Sequence, residues 1–279
     1  MGSGHEDMID AKGAAAAIEI ARVRQEFCRD GLPVVALDSL DLSIRHNEFT
    51  VVVGPSGCGK TTLLYLMAGF EKPTSGRVLV HGREVEGPGR DRGIVFQDLA
   101  LFPWRTVLGN IAFGLETARM KREDALALAR EYVHLVGLEG FEKAYPNTLS
   151  GGMKQRVALA RTLACEPDVL LMDEPFGALD VQTRRLMQEE LVRIWETRRK
   201  TVVFVTHSVS EAVYLADTVY VLTARPGTVK GVVHVDLPRP REAPDPMVMA
   251  KRGEVLSLLE SEVRKTHLMQ TRPLDDACR

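Results

Sequence analysis

Two periods alternate along this chain. From Ile18 the apolar residues fall in short alternating runs, Ile18-Ile20 and Leu40-Leu42-Ile44, divided by the turn-like Arg29-Asp30-Gly31, which predicts an antiparallel hairpin region at the front. Continuous apolar runs follow at Thr50–Val53, Arg77–Val80, Gly93–Phe96, Val169–Met172, Val202–Val205 and Thr218–Leu222. They are β-branched and bounded by turn or charged residues, as central strands buried on both faces should be. Helical spacing comes between several of them, over Thr61–Ala68, Val157–Ala164 and Val181–Arg198, the last presenting Met187, Leu191, Ile194 and Trp195. Strands alternating with helices predict an α/β fold.

The alternation breaks between about Gln97 and Arg156, where Leu126, Ala129, Val133 and Val136 repeat at helical spacing with no clear strand before Val169, so a helical insertion is expected there. After Val235 the stretch Leu237 to Pro246 is dense in proline and reads as an extended linker. A short amphipathic helix using Val255, Leu258, Leu259 and Val263 is expected to follow. Residues 1 to about 16 are Gly/Ala-rich and polar, with too little apolar content to offset the entropy of ordering, and read as a loose leader. The expected division is therefore a leader over 1–16, a main domain over 17–236 with its insertion at about 97–156, and a linker with a short helix over 237–279.

Composition narrows the class without naming a partner. With 279 residues, 45% hydrophobic and 27% charged, the chain is long enough for a real core and matches ordinary globular usage. Lys and Arg number 36 against 38 Asp and Glu, so a net charge of −2 supplies no general attraction to nucleic acid or anionic membrane. Cys28, Cys58, Cys165 and Cys278 form no CxxC pair, which fits a reducing compartment better than a zinc knuckle or a disulfide framework. No apolar run approaches the roughly 18 residues of a membrane span, and the acidic start lacks the pattern of a signal peptide. Any service to a membrane is expected to pass through a partner.

The chemistry concentrates in a few motifs. Gly54-Pro55-Ser56-Gly57-Cys58-Gly59-Lys60-Thr61-Thr62 follows the predicted strand Thr50–Val53 and opens a predicted helix, the setting of a phosphate-binding loop. Its glycines let backbone N–H groups turn inward around phosphate oxygens, and the helix start adds unpaired donors and the positive end of its dipole. Lys60 is expected to reach the β- and γ-phosphates and Thr61 to ligate Mg²⁺. Such a pattern arises by chance in on the order of one chain in a hundred of this length, and the strand-then-helix context reduces that further. Val169-Leu-Leu-Met-Asp173-Glu174-Pro175 ends an apolar strand in two carboxylates. Consecutive strand side chains point to opposite faces, so both acids share a site only if the strand ends here. Asp173 then suits a Mg²⁺ contact, while Glu174 suits orienting and deprotonating an attacking water. Alone, Asp-Glu at a strand end is ordinary; the phosphate loop upstream reverses the odds. Ser150-Gly151-Gly152 is a plausible helix start with close backbone access, and from the residues alone its contact with a ligand is an even chance. Gln97 and His207 stand at the C-terminal ends of predicted strands, where open α/β sheets bind ligands.

GPSGCGKTT, the Gln of VFQD, LSGGMKQR, VLLMDEP, GALD and the His of FVTHS occur in the order found in ATP-binding cassette (ABC) ATPases, which this chain resembles over roughly residues 18–235. The resemblance implies a RecA-like P-loop core with an antiparallel β subdomain and an inserted α-helical subdomain. It makes Gly54–Thr62 the Walker A loop, Gln97 the Q-loop glutamine and a Mg²⁺ contact, and Leu149–Gln155 the signature. Asp173 and Glu174 become the Walker B pair, Asp180 the D-loop aspartate, His207 the switch histidine and Phe27 the aromatic that stacks on adenine. The further motifs Gly87–Gly93, Leu101–Arg105, Ala224–Thr228 and Leu237–Arg241 resemble importer ATPases for nitrate, aliphatic sulfonates and taurine. Two departures, Ser208 after His207 and Met153-Lys154 in the signature, touch no core role. The implied protein binds ATP and Mg²⁺, works as a homodimer with integral-membrane permease subunits and a separate substrate-binding protein, and sits on the cytoplasmic face of the membrane. An ABC ATPase acting on DNA or ribosomes should show a long coiled-coil insertion, a second cassette or a basic surface, and none is visible. A small-molecule P-loop kinase has no use for the signature and His207 together.

Overall fold

The computed structural model describes residues 16–29, 31–242 and 244–270. The leader expected over 1–16 lies outside them except for Ala16. The front hairpin is present and longer than its apolar pattern suggests: β1 (Ala16–Arg29) and β2 (Leu32–Arg45) each run 14 residues. Ile18 pairs with Ile44 and Ile20 with Leu42, but register shifts between Ile20 and Gln25 break the alternation that a sequence pattern relies on.

Two sheets frame the molecule. The first has the order β2-β1-β4-β5, with β4 (Ser75–Val80) and β5 (Arg83–Glu84) joined antiparallel. Arg77–Val80, expected among the central strands, therefore belongs to this sheet. Half-exposed sheets and central strands both accept short apolar runs, and the run alone does not separate them. The second sheet carries five parallel strands and one antiparallel edge. In spatial order these are β10 (Val229–His234), β9 (Thr218–Leu222), β3 (Phe49–Val53), β8 (Thr201–Thr206), β7 (Val169–Asp173) and β6 (Arg92–Val95).

Strands β3, β7 and β8 are continuous apolar runs because both faces are covered. Val51, Val53, Leu170, Met172, Val202 and Phe204 feed one core, and Val52, Val169, Leu171, Val203 and Val205 feed the other. The second core holds α1 (Lys60–Ala68) between the two sheets. Leu63, Leu64, Leu66 and Met67 of α1 are buried, while Thr61, Thr62 and Tyr65 form its less buried side.

The first core receives α2 (Val107–Thr117), α3 (Arg122–Leu135) and α4 (Gly151–Ala164), which pack on one another. The helical insertion is thus present, but its far side has no break at Arg156, since α4 continues from it into the sheet layer. The same core takes α5 (Val181–Arg198), whose Met187, Leu191, Ile194 and Trp195 are buried, and α6 (Val209–Leu215).

The proline-dense stretch is pinned rather than extended. Arg241 is 3% exposed and donates to Val213 O, Ala216 O, Val235 O and Leu237 O, while Arg239 pairs with Asp217 at 2.8 Å. Burial pushes the Arg241 guanidinium down to about 10. The terminal helix α7 (Pro246–Gln270) runs 25 residues and is not short. Its inward positions are Val248, Val255, Leu259 and Glu262, so the expected Val263 faces out. A buried carboxylate took the place at which apolar periodicity had put a valine. No helix among the described residues is long and apolar enough to cross a membrane.

Candidate functional site

The loop from β3 to α1 is shaped by its glycines. Gly59, at the N-cap of α1, has φ +100°, and a Cβ there would stand 2.6 Å from Leu37 Cδ2 and 3.0 Å from Ala36 O of β2. Side chains disfavour that backbone, and β2 leaves them no room. A Cβ on Gly54 would meet Cys58 Sγ at 2.6 Å. Cys58 is buried, and desolvation pushes its thiol up. Pro55 is buried, whereas Ser56, Gly57 and Thr61 are exposed and Thr62 is half-buried.

Lys60 is 6% exposed, and its Nζ donates to Gly54 O at 2.9 Å and Pro55 O at 3.0 Å, with Glu174 Oε1 at 3.9 Å. Thr61 Oγ1 donates to Asp173 Oδ1 at 3.2 Å, which ties the start of α1 to the end of β7. Burial raises the Asp173 carboxyl above the usual aspartate range, with the Thr61 hydrogen bond opposing it and the nearby Glu174 adding to it.

The two carboxylates share a site through a backbone turn. β7 ends at Asp173, and Glu174 takes φ +41° while its N–H bonds Val205 O at 3.0 Å. A non-glycine residue in the left-handed region is a sparsely populated state, held here by neighbouring strand β8. It aims Glu174 back toward the loop, where Glu174 Oε2 lies 3.0 Å from His207 Nδ1. His207 follows β8 directly and is exposed.

Gln97, two residues past β6, lines a cleft of about 370 Å³ together with Thr61, Tyr65, Phe96, Asp98, Ala100 and Asp173. The structure thus gathers Lys60, Thr61, Gln97, Asp173, Glu174 and His207 at the C-terminal edge of the parallel strands. The Thr61 hydroxyl, the Asp173 carboxylate and the Gln97 amide offer oxygen donors, the set a small hard dication takes, so these residues fit Mg²⁺.

The remaining candidates stand elsewhere. Ser150 caps α4, its Oγ accepting from Met153 N–H at 3.3 Å; Ser150 and Gly151 are exposed. A Cβ on Gly152 would come 2.8 Å from Thr183 Cγ2, and one on Gly151 3.4 Å from Leu179 Cδ2. Asp180 caps α5, accepting from Gln182 N–H and Thr183 N–H at 3.1 and 3.0 Å. The starts of α4 and α5 therefore adjoin, and no hydrogen bond or ion pair among the described residues joins them to Lys60 or Glu174. Phe27 lies on β1 opposite Val34, 38% exposed.

The cluster after Gln97 divides. Leu99 and Leu101 pack against the core, while Trp104 is 72% exposed. Buried Asn110 holds the intervening turn through Phe102 and the carbonyls of Arg105 and Thr106. The sequence marks Ala224–Thr228 only as a resemblance to importer ATPases; the structure shows that this β9–β10 connection touches the phosphate loop, and its Pro-Gly pair was the available signal of a turn.

The family profile described as "ABC transporter" matches residues 37–177. An uncharacterized ABC transporter ATP-binding protein of Methanocaldococcus jannaschii is 53% identical over 89% of this chain and 93% of its own length. The nitrate import ATP-binding protein NrtD of Synechocystis is 49% identical over 81% and 85%, and the taurine import ATP-binding protein TauB of Rhizobium johnstonii 51% over 76% and 80%. Among solved structures, a dimeric post-hydrolysis state of an ATP-binding cassette bound to ADP and Pi superposes with a TM-score of 0.71 at 31% identity, over 79% of this chain and 100% of that one.

Proposed function

The chain belongs to the ABC transporter family, and from that premise we propose that it is the ATP-hydrolysing subunit of an importer for a small solute of the nitrate, sulfonate or taurine class. The observation that carries the catalytic reading is the convergence of Lys60, Thr61, Asp173, Glu174 and His207 on one loop, with Glu174 turned into place by its positive φ. The nitrate- and taurine-import relatives support the substrate class.

In this reading the N–H groups of the loop and of the first turn of α1 cradle the β- and γ-phosphates, and the Lys60 ammonium neutralises their charge. Phe27 carries the adenine. Glu174 accepts a proton from the attacking water, and His207, 3.0 Å away, holds that carboxylate in its orientation. Thr61, Asp173 and Gln97 would hold Mg²⁺, which supplies charge neutralisation at the phosphate oxygens.

Ser150, Gly151, Gly152 and Asp180 serve the nucleotide of a second copy, so that two chains enclose two ATP molecules; the dimeric cassette of the same fold supports this arrangement. Exposed Trp104, seven residues past Gln97, is a contact for a separate permease at the cytoplasmic face of the membrane, and a substrate-binding protein delivers the solute.

Glu174→Gln keeps the shape and loses the base. It is expected to lower turnover by roughly 10²–10⁴ while ATP binds as before in calorimetry. Near-normal turnover would move the base elsewhere, with His207 next.

A further inference from the structure

The connection between β9 and β10, residues 223–228, is built as a rigid piece and pressed onto the phosphate loop. Thr223 N–H bonds Thr228 O at 3.0 Å and Thr228 N–H bonds Thr223 Oγ1 at 2.9 Å, closing the connection on itself. Gly227 N–H donates to Ala36 O at 2.9 Å and Gly227 O accepts from Asp38 N–H at 3.1 Å, which joins it to β2. The approach to the loop is close enough that a Cβ on Gly227 would stand 2.1 Å from Cys58 O. Beside it, Arg225 Nε donates to Gly57 O at 3.1 Å.

That bond completes the restraint of one peptide. The Gly57 carbonyl goes to Arg225, and the N–H of the same peptide unit, from Cys58, goes to Pro55 O at 3.3 Å. Gly57 itself has φ +76°, so without such restraint the backbone has unusual freedom at this point.

The other end of the connection is held from the C-terminal helix. Glu262 of α7 is 1% exposed, and its Oε2 accepts from Ala224 N–H at 2.9 Å, one residue before Arg225. Its Oε1 pairs with Lys230 Nζ at 2.7 Å and Lys265 Nζ at 2.9 Å. A buried carboxylate between two ammonium groups and a backbone donor is a costly construction for a surface helix whose other inward contacts are apolar. One of its bonds, to Ala224 N–H, continues a path from α7 to Arg225 and Gly57.

Resting on the nucleotide-site reading above, we propose that residues 223–228 are a clamp on the phosphate loop, with Arg225 and Glu262 as positioning residues through which helix α7 sets affinity for the nucleotide's phosphates. The clamp acts by holding loop N–H groups in their converged arrangement before the phosphates arrive, so it governs binding rather than the bond-breaking step.

The test is steady-state ATPase kinetics and calorimetric ATP binding on the full chain. Arg225 is exposed, so Arg225→Ala is expected to fold and melt like the parent. It should raise both KM and Kd for ATP on the order of tenfold, with kcat little changed. Arg225→Gln places an amide nitrogen at the same number of bonds from the backbone as Nε, and should restore most of the affinity. Glu262→Gln should raise KM less, and adding it to Arg225→Ala should produce no further loss, because both act through one path.

Unchanged KM and Kd in Arg225→Ala, alongside lost binding in a Lys60→Ala control, would overturn the clamp and leave the nucleotide site standing. Arg225→Gln as weak as Arg225→Ala would also overturn it, since the charge rather than the Nε bond would then matter. Normal ATP binding by Lys60→Ala would instead sink the nucleotide-site reading on which the clamp rests.

Discussion

Lys60 lies buried with its ammonium on two carbonyls and its neighbour Thr61 bonded to Asp173, whereas Ser150, at the start of α4, is exposed and bonds the N–H three residues on. The first region is closed within the chain: Lys60 bonds carbonyls of its own loop, Thr61 bonds Asp173 at the end of β7, Glu174 is held by β8 and lies on His207, and the Gly57 carbonyl goes to the β9–β10 connection. In the second, the Ser150 side chain bonds within its own helix, and the start of α5 lies against Gly151 and Gly152. A polar group braced inside its own chain is ready for a ligand, while helix-start donors turned to solvent are completed by an acceptor from outside. The difference fits a site divided between two copies, with the phosphate half built into each and the signature half presented to the other.

The largest effect expected from this contrast is on affinity. Lys60→Ala removes the mobile cation from a loop otherwise made of backbone dipoles, and ATP binding measured by calorimetry should weaken by on the order of a hundredfold or more. The same measurement on Ser150→Arg should find affinity near that of the parent, because the change lies outside the closed half. Equal losses in both variants would break the distinction.

A smaller effect concerns stability. Burial raises the Asp173 carboxyl above its ordinary range, so the folded protein holds that proton more tightly than the unfolded chain does. The folded state is therefore favoured while Asp173 is protonated, and that advantage is lost as pH rises from the ordinary aspartate value through the raised one. At neutral pH the ionised group is a cost. Asp173→Asn should accordingly raise the melting temperature of the nucleotide-free protein at pH 7, with the gain shrinking as pH falls through the raised value and gone at the ordinary aspartate value of about 4, and should abolish turnover. A fall in melting temperature at pH 7 would mean that the Thr61 bond outweighs the burial.

Much of the closed half was legible because its signals are local. Gly54 to Thr62 needs only a strand before and a helix after, and the ends of β7 and β8 announce Glu174 and His207. The device that brings Asp173 and Glu174 together, a left-handed residue pinned by Val205, has no residue signature, since glutamate seldom takes that backbone. Arg77–Val80 looked central because an apolar run does not say which sheet receives it. The proline-dense stretch looked like a linker because nothing local shows that Arg241 is buried on four carbonyls. Glu262 was hidden for the same reason: its partners Ala224 and Lys230 are more than thirty residues away, beyond the reach of periodicity. Long-range polar contacts are what this sequence conceals.

The most direct test of a site shared between chains is complementation by mixing. Ser150→Arg and Lys60→Ala proteins, each expected to be inactive alone, are combined in equal amounts and their ATP turnover is measured. In a mixed pair the intact phosphate loop of the Ser150→Arg chain meets the intact signature of the Lys60→Ala chain, which rebuilds one site. With random pairing, half the dimers are mixed and each holds one of two sites, so turnover should return to about a quarter of the parent's. If the signature served the nucleotide of its own chain, no pairing would bring an intact loop to an intact signature, and an inactive mixture of properly dimerising proteins would contradict the divided site.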